Sequence, residues 1–195
     1  FYFLYSEGFL TGGFNTEVNA NLPVGGPNLA YDPEHVSNYE IGFKGQFMDG
    51  RVQLMADVFF MDYTDQQKSI ELDNSNGLFG TEDPVELVTN IASSSISGVE
   101  VELRANLWEG GFVSLDVGYL KNEVDKYEYE DPENPGVIID RSNKLLTDFT
   151  PEWTMNLAVE HEYQLGGGGT LTPRVNMNYQ GEFEWAAEAG WDKTD

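Results

Sequence analysis

The residues whose types and spacing could do chemistry are polar ones that recur at every second position. Asn38, Glu40 and Lys44 share one parity, as do Gln53 and Asp57, and then Glu100, Glu102 and Arg104. Amides, carboxylates and cations at a period of two line one face of an extended chain. Such a face can hold a partner by hydrogen bonds and ion pairs, or pair charges between neighbouring strands. It does not assemble a nucleophile with a base, and no enzyme is expected. Other candidate chemistry fails on spacing. His35 and His161 are far apart, and neither has a metal-type partner close by. The run from Asp125 to Asn134 is rich in oxygen ligands for Ca²⁺ but lacks the EF-hand spacing and central glycine, so it reads as a solvated acidic loop. Gly166 to Gly169 is followed by no Lys-Ser/Thr pair and is not a phosphate loop. The chain has no cysteine, hence neither a disulfide framework nor a thiolate metal site. No cofactor or metal is expected.

The elements that must position these residues alternate throughout. Tyr39, Ile41, Phe43, Gly45 and Phe47 interleave with the Asn38 set. Val52, Leu54, Ala56, Val58 and Phe60 interleave with Arg51, Gln53, Met55, Asp57 and Phe59. Six stretches keep this pattern for about ten positions each. A membrane-crossing strand needs about 9–11 tilted residues, whereas an ordinary strand has about 5–6. The pattern therefore predicts an all-β, antiparallel, up-and-down transmembrane β-barrel. A mean hydropathy of −0.41 agrees, because barrel strands give every second residue to a polar lumen. No run approaches the length of a transmembrane helix. Aromatic residues make up 13% of the 195 residues, enough for girdles at both membrane boundaries, where Trp153 and Trp185 are expected, with Met155 and Met177 packing toward lipid. Only 10 Lys and Arg stand against 34 Asp and Glu. This excludes nucleic acid as a partner, since its binding relies on cations that neutralise phosphate.

Seven strand candidates run at about 1–9, 38–48, 51–68, up to 105, 112–122, 152–165 and 171–185. Short turns at 48–51, 108–111 and 166–169 alternate strictly with long connections at 10–37, 73–85, 122–150 and 184–195. All long connections thus fall at one end of the strands, as in barrels with short periplasmic turns and long extracellular loops. Asp62, the first charge on the outward set of the third strand, lies about 20–25 Å above Val52, near the outer interface. Pro173 removes a ladder hydrogen bond close to the glycine turn, where a bulge is expected. The chain opens in strand-like sequence and closes in polar, loop-like sequence, so it is expected to be an internal piece of a longer protein.

Specific residues add a resemblance. Tyr5-Ser6-Glu7-Gly8-Phe9 with Gly12-Gly13-Phe14-Asn15, and Pro33-Glu34 followed by Asn38-Tyr39-Glu40-Ile41-Gly42-Phe43-Lys44-Gly45, resemble TonB-dependent outer-membrane receptors. An Asp-Gly turn then leads to Val58-Phe59-Phe60-Met61-Asp62-Tyr63-Thr64-Asp65-Gln66-Gln67. Asn90-Ile91-Ala92, Ser97-Gly98-Val99-Glu100-Val101-Glu102 and Pro151-Glu152-Trp153 continue the likeness. The resemblance implies a barrel of about 22 strands plugged by a separate domain, of which residues 1–195 would supply about seven strands and no plug. It implies an outer-membrane location in a Gram-negative cell and lipid around a barrel that is monomeric when complete. It further implies energised uptake of a ferric siderophore, cobalamin or oligosaccharide, driven by a TonB–ExbB–ExbD complex through the N-terminal region. Asn38, Glu40, Lys44, Gln53, Asp57, Glu100, Glu102 and Arg104 would then face the plug. Phe14, Tyr31, Phe79 and Tyr129 are the aromatic candidates for ligand contact, since loops on a rigid scaffold carry recognition.

Two other architectures fit parts of the pattern: a passive porin-like barrel, and a soluble all-β carbohydrate-binding module. The soluble module requires Phe43, Phe60, Leu115 and Met177 to meet in one dry core. The membrane barrel requires them in an outward band about 25 Å tall.

Overall fold

The computed structural model describes residues 1–15, 30–72, 85–131, 136–142 and 150–183. Phe79, Trp185 and the connections around them lie outside the described residues. The strands are β1 (Tyr2–Leu10), β2 (Gly13–Phe14), β3 (Ala30–Tyr31), β4 (Glu34–Phe47), β5 (Val52–Leu72), β6 (Val85–Trp108), β7 (Gly111–Glu130), β8 (Ile138–Asp140), β9 (Trp153–His161), β10 (Tyr163–Gln164), β11 (Thr170–Leu171) and β12 (Arg174–Gln180). One antiparallel meander runs β1-β4-β5-β6-β7-β9-β12, with β8 paired to the outer end of β7. The pairs β2–β3 and β10–β11 form small ladders of their own.

The turns have the chemistry their sequence demands. Arg51 N–H donates to Met48 O at 3.2 Å, with Asp49 and Gly50 between them at φ 56° and 84°. Two left-handed central residues make the hairpin turn whose twist matches the flanking strands, and Asp-Gly is its favoured pair. Met48 is also left-handed, at φ 54°. At the next short turn Trp108 pairs with Gly111 across Glu109 and Gly110, and a register shift between Ala105 and Trp108 marks a bulge.

Register turns the alternation into rows. On one face the rows are Phe47-Val52-Ala105-Val113-Val159-Val175, then Gly45-Leu54-Leu103-Leu115-Leu157-Met177, then Phe43-Ala56-Val101-Val117-Met155-Tyr179, then Phe3-Ile41-Val58-Val99-Tyr119-Trp153. The Tyr5 and Tyr39 rings meet at a tilt, 5.1 Å apart, as do Tyr119 and Trp153 at 4.7 Å, along the upper border. Near the lower border the Trp108 indole donates to His161 Nδ1 at 2.8 Å, and Tyr163 meets the same imidazole edge-on. Among the described residues nothing packs on this apolar face: Val175 is 70% exposed, Ile41 63% and Met177 47%. Among the described residues the only buried apolar side chains are Leu87, Ala92, Ala105 and Ala158. The described residues therefore form no dry core of the kind a soluble module requires, and the face that would supply it is the outward band.

Above the band the two faces exchange character. The next outward row, Tyr5-Tyr39-Phe60-Ser97-Lys121, turns from aromatic to polar along its length, and the one above it, Glu7-Ser37-Asp62-Ser95-Glu123, is entirely polar. The inward rows at that height carry Phe59, Leu120, Met61, Ile96, Tyr63 and Val124. The strands continue well past this level. β5, β6 and β7 have 21, 24 and 20 residues, about twice what a membrane crossing needs.

Several boundaries differ from those read in the sequence. β7 continues to Glu130, so Asp125–Glu130 is paired strand instead of loop. The 10–37 stretch contains β2, β3 and the start of β4. Pro173 causes no bulge. Pairing is in the same register on either side of it, from Tyr163↔Leu171 to Glu160↔Arg174. The ladder is interrupted, and the Pro173 carbonyl still accepts from His161 N–H at 3.2 Å. A lost donor needs no extra residue when the strand keeps its phase.

Candidate functional site

The eight polar residues singled out by spacing lie on one face of β4, β5 and β6, opposite the apolar band. Their rows run Tyr2-Gly42-Asp57-Glu100-Gly118-Thr154, then Lys44-Met55-Glu102-Asp116-Asn156, then Gln46-Gln53-Arg104-Ser114. Asn38 and Glu40 stand in the two rows above. The wall is mostly acidic and its cations are already engaged. Arg104 Nη1 bonds Asp116 Oδ1 at 2.6 Å and also donates to the Leu103 carbonyl at 3.0 Å, while Nη2 lies 4.0 Å from Glu102. Lys44 Nζ sits 5.0 Å from the centre of the Tyr2 ring, whose hydroxyl donates to Glu40. Asp57 and Glu100 face each other directly across β5 and β6. Like charges opposed in this way are destabilising until a cation reaches them.

Glycines shape this wall. The Tyr2 ring covers Gly42 and the Phe59 ring covers Gly98, whereas beside Gly118 only Thr154 Oγ1 comes near. A shallow recess of about 160 Å³ opens there, lined by Glu100, Glu102, Asp116, Gly118, Thr154 and Asn156. The arrangement offers acceptors to a cationic or hydrogen-bonding partner. It contains no nucleophile–base pair, and no group of metal-type side chains converges among the described residues.

The aromatic candidates are divided between two places. Phe14 and Tyr31 share the β2–β3 hairpin, with Phe14 73% exposed and the Tyr31 ring lying over Gly13. Tyr129, expected in a loop, is on β7 opposite Ile139, 6.0 Å from Tyr127 and with Arg141 5.9 Å above its ring. Burial, followed by the neighbouring Tyr129, raises the Tyr127 hydroxyl above the usual phenol range. Where β8 ends beside Tyr127, away from the hairpin tip, the Ser142 backbone N–H donates to Asp140 at 2.9 Å and, with the Ser142 hydroxyl, lowers the exposed Asp140 carboxyl. A carboxyl depressed in the folded state contributes stability above its unfolded value and loses it as pH falls through the folded one. Exchange of the Ser142 amide should therefore accelerate, relative to its intrinsic rate, as pH drops below about 4. In Asp140→Asn that acid-dependent step should vanish. An identical profile in both proteins would remove Asp140 from the turn.

Spacing did not find the residues that fasten the outer end. Asn90 Oδ1 accepts from Asp32 N–H at 2.7 Å, and its Nδ2 donates to the carbonyls of Asp32 at 2.8 Å and Asp65 at 2.7 Å. Gln67 Nε2 donates to the Thr11 and Asp32 carbonyls, both at 3.1 Å, and Gln67 N–H donates to Glu34 at 3.0 Å. Asn15 pairs its carboxamide with both the N–H and the carbonyl of Val88, each at 2.8 Å. Their only trace in the sequence is that Pro33-Glu34, Asp65-Gln66-Gln67 and Asn90-Ile91-Ala92 all belong to the stretches carrying the resemblance.

Comparison with known proteins agrees with this geometry. Residues 1–194 match the family described as TonB dependent receptor-like, beta-barrel. The fold is similar to that of the ferric yersiniabactin uptake receptor FyuA from Yersinia pestis, with a TM-score of 0.62 and 19% identity over 94% of this chain and 24% of that one. It is similar to the alcaligin outer membrane receptor FauA from Bordetella pertussis, at 0.54 and 14% over 92% and 26%. For the pyoverdine outer membrane receptor FpvA from Pseudomonas aeruginosa the values are 0.53 and 16% over 90% and 25%. The chain thus spans about a quarter of the length of the solved receptors it matches.

Proposed function

Because this chain belongs to the TonB-dependent receptor β-barrel family, we propose that it forms part of the wall of an outer-membrane receptor that takes up a scarce small molecule with energy from a TonB–ExbB–ExbD complex. Residues 1–195 are one partial barrel domain in this reading. The observation that carries it is the set of unbroken outward apolar rows from β4 to β9, backed by a polar, largely acidic inner wall. The inner wall, with Glu40, Asp57, Glu100 and Glu102, holds the plug domain. Asn38, Lys44, Gln53 and Arg104 complete that contact surface. Phe14, Tyr31 and Tyr129 at the outer end, together with Phe79, contact the ligand. Of the ligand classes implied by the resemblance, ferric siderophores are favoured by the names of the three receptors above.

The test is uptake by the complete receptor in a Gram-negative strain lacking its own ferric-siderophore receptors. Radiolabelled iron bound to yersiniabactin, alcaligin or pyoverdine should enter, and entry should cease when TonB is deleted. Entry that persists without TonB would make the barrel a passive pore.

A further inference from the structure

Three sequence stretches separated by dozens of residues meet in one hydrogen-bonded knot at the outer end of the sheet. Its hub is Asn90, which spends both of its donors and one acceptor direction on backbone: Asp32 O, Asp65 O and Asp32 N–H. A carboxamide holds an acceptor oxygen and two N–H donors in a fixed plane, so it can pair with Asp32 as a neighbouring strand would and reach Asp65 as well. Asp65 needs this. It is left-handed at φ 53°, where the β5–β6 register shifts between Tyr63 and Gln66 and again between Gln66 and Gln67. Gln67, on the other side of the shift, reaches Thr11 before the β2–β3 hairpin and Asp32 after it. Glu34 closes the ring by accepting from the Gln67 backbone.

We propose that Asn90 and Gln67 are positioning residues for ligand capture. They fasten both roots of the 11–33 connection to the β5–β6 hairpin, so that the β2–β3 hairpin with Phe14 and Tyr31 meets the ligand as part of a rigid rim. This rests on the reading of the chain as a receptor wall. The chemistry separates positioning from bulk. Asn90→Asp keeps the shape and the acceptor toward Asp32 N–H, but it replaces two donors by a charge facing two carbonyl oxygens. Below about pH 4 the N90D carboxyl is neutral and regains one donor, so the knot should partly close again.

Residues 1–195 contain no cysteine, so with any cysteine outside them replaced, a spin label at Phe14→Cys in the complete detergent-solubilised receptor reports the hairpin alone. In N90D at pH 7 the label should become more mobile and exchange of the Gln67 amide, which closes the knot on Glu34, should rise about tenfold, the scale of one lost hydrogen bond. Affinity for whichever of ferric yersiniabactin, alcaligin or pyoverdine the wild type binds should fall about tenfold. Acidification below about pH 4 should bring label order in N90D toward that of the wild type at the same pH. Gln67→Glu, which spares the Asp65 contact, should give the same changes at smaller size and serves if N90D does not fold. Unchanged label and exchange in both variants would overturn the knot. A mobile label with unaltered ligand affinity would overturn positioning. If the wild type binds none of the three chelates, the ligand class fails, while the knot is still decided by label and exchange.

Discussion

Val101→Arg should lower the stability of the complete barrel in a phospholipid bilayer by about 2–4 kcal/mol, the cost of an arginine on the lipid face near the midplane. Val101 occupies the middle outward row, between Ala56 and Val117, so its guanidinium has the greatest distance to travel to either boundary. One row inward the same substitution should be nearly silent. Asn156→Arg stands opposite Asp116 and borders the recess that also contains Glu100 and Glu102. A cation there meets acceptors, and a change within about 0.5 kcal/mol is expected. Urea titration of both variants in lipid vesicles decides the matter. Equal midpoints for Val101→Arg and wild type would mean that the apolar rows do not face lipid.

The second large effect is expected at Gly98. A Cβ built there would touch the Phe59 ring and stand 2.7 Å from the Tyr119 carbonyl oxygen. A ring can tilt away, but the carbonyl belongs to the β6–β7 ladder and cannot. Gly98→Val should therefore cost about 1–3 kcal/mol, the usual range for overpacking. Phe59→Ala in the same chain should recover only the ring's share, which a double-mutant cycle isolates. Gly118→Val is the contrast. Its nearest neighbour is the Thr154 hydroxyl at 2.8 Å, which a rotamer change removes, so the loss should stay well below that at Gly98. Equal losses at the two glycines would show that backbone proximity is not the cause.

The sequence made the membrane part of this fold legible because lipid imposes a simple demand. Every second residue from Val52 to Phe60 must be apolar, and the Asp49-Gly50 turn supplies the left-handed residues that start the hairpin. The outer halves of β5, β6 and β7 were less legible for the same reason. Beyond Asp62 lipid no longer selects, bulges at Asp65 and between Ser93 and Ser94 reset the phase, and a charged run such as Asp125–Glu130 reads as loop although its backbone is paired. The inner-wall residues were found because they share the strand period. Asn90 and Gln67 were not, because their partners are 25 to 58 residues away and no local spacing encodes a knot.

The exchange of polarity between the two faces also settles where the wall floats. A cylinder with a uniform apolar belt could ride up or down by a few ångströms at small cost, thinning or thickening the bilayer around it. Here one step deeper would draw Asp62 and Glu123 into hydrocarbon. One step shallower would draw the Asp49 and Glu109 turns into hydrocarbon and lift Ile41, Val58 and Val99 out of it on the outer side. The Tyr5–Tyr39 and Tyr119–Trp153 pairs mark the upper waterline between these penalties. The rim bearing Phe14 and Tyr31 is therefore held at a fixed elevation above the outer waterline, whatever the thickness of the bilayer beneath it.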